Sequence, residues 1–228
     1  MYDTHIPFDP WPEETAVDLT HRQQSLELAQ LSIRALLPYL HNEIKNPKRE
    51  ENDVYQVLHP LYLDTGRDVP MTPTDLPEIE AMFHQILSVG GPRQAEIQEV
   101  LLRLVGATAA VESVPFLLEA LHFTKRGDQF GPDRRQLALW GLARIAIRHD
   151  QADAYQALRE GLNDRRAEVR LTAVDLILNA YLDAGRKVPA KIVTALKKMA
   201  ANDPDKDVRR VVQRCLREPW TDRELWSD

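Results

Sequence analysis

Two ten-residue stretches far apart in this chain are nearly the same. Residues 61–70 read LYLDTGRDVP and residues 180–189 read AYLDAGRKVP, identical at seven of ten positions. They are separated by roughly three periods of about forty residues, the spacing of repeats built from helix pairs. A chain organised this way stacks copies of one small unit, and each copy buries its apolar surface only against its neighbours.

The unit is clearest over residues 160–189. A short helix ends at Leu162, Asn163, Asp164 and Arg165 make a polar turn, and a second helix begins near Arg166. On that helix Val169, Ala173, Leu176, Ile177 and Ala180 form one apolar stripe, and Leu171, Val174, Leu178 and Leu182 form another. A helix apolar on two faces belongs between layers, so Leu176 is expected to be fully buried. Gly185 ends the helix and Pro189 keeps it from continuing. Further copies place Val208 and Arg209 where Val169 and Arg170 stand, and Arg135 and Ala138 where Arg170 and Ala173 stand. Ile97, Leu101 and Leu104 then match Ala138, Leu142 and Ile145.

The runs 114–121 (VPFLLEAL), Asp164 with Val169-Arg170, Ala173 and Leu176, and Asp203-Pro204-Asp205 with Val208-Arg209 resemble the HEAT repeat. The similarity is to the bacterial variant described from bilin-lyase-like proteins, well over residues 75–217 and loosely over 20–70. It implies an all-α fold, a right-handed α-solenoid of about five helix pairs. It further implies that Arg135, Arg170 and Arg209 pair with aspartates of neighbouring turns such as Asp164 and Asp203, forming a ladder along the stack. The resemblance fixes architecture far more than function, since this architecture serves scaffolds, chaperones and some enzymes.

Three segments are expected: an extended arm over residues 1–14, the repeats over 15–217, and a short C-terminal cap over 218–228. Thr221 and Glu224 have capping-box spacing, with Trp220 and Leu225 placed as its staple. Pro38 and Pro60 interrupt the first, atypical pair. Between His122 and Asp133 lies an insertion, FTKRGDQFGP, longer than the corresponding 163–166 turn. With both ends covered, the chain is expected to be a monomer by itself.

The 228 residues are 43% hydrophobic and 28% charged, with a net charge of −6 that argues against general binding to nucleic acid or an anionic membrane. No leader peptide or apolar span is apparent, and a cytoplasmic location is the expectation. Cys215, the one cysteine, excludes an internal disulfide and any cluster of thiolate ligands on zinc. The seven histidines form no His-x-x-x-His pair and no His-Glu dipeptide, unlike the His-Glu pairs of HEAT-type di-iron hydroxylases. No phosphate loop follows Gly90-Gly91, and no serine has a nucleophile-elbow context. No enzyme activity, metal or cofactor is expected.

A protein partner is the remaining expectation. The position two residues after the motif's core alanine, the place that Ala138 and Ala173 fill in two of the copies, holds Gln56, Glu99, Trp140, Asp175 and Arg214. This row should face the concave side of a solenoid. Trp140, the one apolar member, either packs opposite the small Gly141 or stands partly exposed, with Arg144 and Arg214, as an anchor for a partner. Arg134, Arg144, Arg210, Arg214 and Arg217 make the last copies locally basic, a polarity able to steer an anionic partner. The principal reading is a non-enzymatic scaffold or assembly factor. The alternatives are a HEAT-like DNA glycosylase or nucleic-acid binder, and a bilin-lyase-like chromophore chaperone.

Overall fold

A computed structural model of the chain describes residues 74–89, 93–125 and 127–217. The expected N-terminal arm, the expected first helix pair with Gln56, and the expected C-terminal cap lie outside the described residues. So do the 90–92 turn and Arg126. The described chain is all-α, with no β-strand.

Its eight helices are α1 (Leu76–Val89), α2 (Arg93–Thr108), α3 (Val114–His122), α4 (Gly131–His149), α5 (Ala152–Gly161), α6 (Ala167–Asp183), α7 (Ala190–Asn202) and α8 (Lys206–Cys215). A short 3-10 turn, Val111–Ser113, leads into α3. The even-numbered helices pack in sequence, α2 on α4, α4 on α6 and α6 on α8. Each odd-numbered helix packs on the even-numbered one that follows it, and α3 also touches α5. One continuous apolar cluster runs through them from Leu76 to Val212.

Burial on α6 follows the repeat with one change of phase. Val169, Ala173, Ile177 and Ala180 are buried on one side, and Val174 and Leu178 on the other. Leu176 is only partly buried at the edge of the cluster, contrary to the expectation of full burial. Ile177, one turn on from Ala173, takes the core place; Leu176 lies about 60° off that line.

The helices α2 and α4 cross where both carry glycine. A Cβ on Gly141 would lie 3.1 Å from the Cα of Gly106, and one on Gly106 only 2.6 Å from a Trp140 ring carbon. Two side-chain-free positions let the backbones approach and leave room for the indole to lie across Gly106.

Candidate functional site

The Arg–Asp ladder forms the frame of the even-numbered helices. Arg135 on α4 forks onto Asp164 in the α5–α6 turn at 2.7 and 3.1 Å. Arg170 on α6 forks onto Asp203 in the α7–α8 turn at 2.8 and 2.6 Å. Each aspartate also organises its own turn, Asp164 accepting from the Arg166 N–H at 2.8 Å and Asp203 from the Asp205 N–H at 2.9 Å. The next arginine returns to the same turn: Arg170 donates to the Asp164 carbonyl at 2.8 Å, and Arg209 to that of Asp203. One aspartate thus serves two helices, its carboxylate receiving the arginine before it and its carbonyl the arginine after it. Burial acts to raise the Asp203 carboxyl, but the bonds from Arg170 and from the Asp205 N–H outweigh it and hold the group below the usual carboxylate range. The reciprocal bond from Asp203 raises the Arg170 guanidinium.

Arg134 departs from its place in the repeat. It stands where α6 has Val169 and α8 has Val208, and it is buried just as fully. Its guanidinium donates to Gln98 on α2 at 2.8 Å and to the Phe123 carbonyl at 3.4 Å, and it lies 4.7 Å from the Phe123 ring centre. Asp128, from the inserted loop, supplies the counter-charge. Lys125 fastens the same loop to α1 through the Leu87 carbonyl. Arg134 is therefore no part of a basic surface, and the insertion is a clamp over a buried cation. The one signal for it in the bare sequence is a charge at the position of Val169 and Val208, beside a lengthened, acid-bearing turn.

Of the partner row, Glu99, Trp140, Asp175 and Arg214 fall on four helices that pack in sequence, α2, α4, α6 and α8. Asp175 and Arg214 are exposed, while Glu99 and Trp140 are half-buried. Glu99 is held by Arg103 one turn along α2. The Trp140 indole rests on Gly106, not opposite Gly141, which faces Leu117 instead. Arg144 lies 5.2 Å from the Trp140 ring centre, and it also donates to the Ala107 carbonyl at 3.2 Å.

Arg144 has companions in that second task. Arg148 donates to the Thr108 carbonyl at 3.3 Å, and the His149 ring nitrogen lies 2.9 Å from the Ala109 carbonyl. Three side chains of α4 therefore close the carbonyl end of α2, where unsatisfied acceptors and the negative end of the helix dipole favour cations. Sequence reasoning gave Arg144 to a partner and missed this use.

The opposite end of the same helices is acidic. Partial desolvation, then the negative charges of Glu99 and Glu168, push the Asp133 carboxyl above its ordinary range. These three carboxylates come from α4, α2 and α6, three helices that pack in sequence, and Glu99 is itself a member of the Trp140 row. Among the described residues no group of His, Cys, Asp or Glu is arranged to hold a metal ion, and no helix is long and apolar enough to cross a membrane.

No family model, curated protein or solved structure matches this chain.

Proposed function

We propose that the chain is a HEAT-like solenoid of about five pairs that works as a non-enzymatic scaffold or assembly factor, binding a protein partner on the face carrying Glu99, Trp140, Asp175 and Arg214. The sequential packing of α2, α4, α6 and α8, each backed by the preceding helix, supports the repeat reading. The aspartate nodes that join one pair to the next support it too.

The observation that carries the functional reading is Trp140. It is the sole aromatic side chain of the row, and its ring is supported from beneath by Gly106 and flanked by Arg144, yet it keeps part of its surface in solvent. A rigid, pre-positioned indole gives a partner a large contact area at little entropic cost. The polar residues on either side suit the rim of such an interface.

The full chain, immobilised, is the bait in an extract of its native cell, with bound proteins identified by mass spectrometry. Trp140→Ala and Asp175→Arg should each lose the same specific partner while keeping a native circular dichroism spectrum. Retention of that partner by both variants would refute the assigned face.

A further inference from the structure

The helix α7 lies opposite in character to the rest of the molecule. Alone among the odd-numbered helices α1, α3, α5 and α7, it contains no Asp or Glu. Its solvent face presents Lys191, Lys197 and Lys198 with the neutral Thr194 and Ala201 between them, and Lys187 stands just before its start, all exposed. Their charges are uncompensated within the fold: no ion pair engages any of the four among the described residues, unlike Arg170 or Arg186.

The concentration of charge is large for so short a stretch. Residues 186–217 contain ten basic and three acidic residues, a net of +7, in a chain whose total is −6. The remainder therefore carries −13. At physiological salt the field of the lysines fades over about 8 Å, so it acts on what touches α7 and little beyond.

We infer that the lysine face of α7 is a second docking surface, distinct from the Trp140 row, whose occupant is an acidic segment of a partner protein. The helix has 13 residues, giving a strip about 20 Å long. Lys191 and Lys198 are two turns apart on nearly one line, so carboxylates at matching spacing on a short segment can meet both. Nucleic acid fits less well on the chemistry of the strip, whose cationic groups are lysines alone. The exposed face of α7 also offers no aromatic ring for stacking bases and no arginine fork for a phosphate. The same face has no large apolar side chain to enter a lipid surface.

The test measures fluorescence anisotropy of a labelled glutamate-rich peptide, about as long as α7, against the full chain. A duplex of similar length and the chain's own sedimentation at low and physiological salt complete it. The peptide should bind with an affinity that falls as salt rises, and Lys191→Glu with Lys198→Glu should weaken it at least about tenfold, since both lysines reverse sign. The doubly substituted chain should retain its helical spectrum and the partner that depends on Trp140, which separates this surface from the one above. Absence of peptide binding at low salt, or binding indifferent to the two substitutions, would overturn the inference. Tighter binding of the duplex, lost in the same variant, would assign the surface to nucleic acid instead. Salt-sensitive self-association abolished by the same variant would assign it to a second copy of this chain.

Discussion

Arg134 on α4 stands in the place of Val169 on α6, and both side chains are completely buried. The exchange of an apolar for a cationic side chain at one core position is balanced by Asp128, delivered from a turn longer than those between α5 and α6 and between α7 and α8. The two irregularities are one device. Asp128→Asn should therefore destabilise the chain by about 3–5 kcal/mol, because it strands a buried charge. In an Arg134→Val background the same change should cost less than about 1 kcal/mol. A double-mutant cycle by urea unfolding checks this, and equal costs in both backgrounds would show that Asp128 acts elsewhere.

The Asp203 carboxyl is held below its usual range, so its contribution to stability has a definite pH dependence. An unfolded aspartate titrates near about 3.9, and the folded one lower. The stabilisation is fully present above the unfolded value and disappears as pH falls through it toward the folded one. Asp203→Asn should cost about 3–5 kcal/mol at neutral pH by breaking the buried pair with Arg170. The gap between variant and native chain should narrow progressively below about pH 5. Urea midpoints measured from neutral pH into the acid limb give the curve; a constant gap would contradict it.

Replacing a helical glycine by alanine ordinarily gains roughly 1 kcal/mol from helix propensity. Gly106→Ala should do the reverse, because the new methyl would meet the Trp140 ring at 2.6 Å and the Gly141 Cα at 3.0 Å. A net loss of about 1–3 kcal/mol is expected from overpacking. Combining it with Trp140→Ala should recover part of that loss, and strict additivity in thermal denaturation would mean that the indole is not the obstacle.

The phase of α6 can be read from two neighbours. Ile177→Ala should cost about 2–5 kcal/mol by leaving a cavity between packed helices. Leu176→Ala, at a partly exposed position, should cost clearly less. The reverse order in chemical denaturation would restore the phase that the sequence alone favoured.

Much of the helix order could be read from the chain itself, because the repeat aligns copies whose local chemistry is alike. Asp164 and Asp203 with their arginines were legible for the same reason: a turn acid and a helix-start arginine recur together. Leu176 misled because periodicity marks an apolar arc without saying which of two adjacent residues lies at its centre. Arg134 misled because a charge at helical spacing reads as a solvent face, and only three-dimensional neighbours reveal an enclosing loop. The crossing at Gly106 and Gly141 joins residues from two copies, and no single copy contains it. The charge of α7 was in plain view but was diluted by the acidic total.

The aspartate nodes also bear on how the molecule comes apart. Were the α7–α8 turn to loosen by itself, Arg170 would remain in its buried setting with its counter-ion gone, at a cost comparable to that of a broken buried ion pair. The loss would be felt in α6, one pair away from the opening, and the α5–α6 turn would pass it to Arg135 in the same manner. Repeat proteins lacking such links fray from their ends, each unit opening on its own account. Here the nodes tie α4 to the α5–α6 turn and α6 to the α7–α8 turn, so the helices α4 to α8 should exchange their amide protons as one cooperative body.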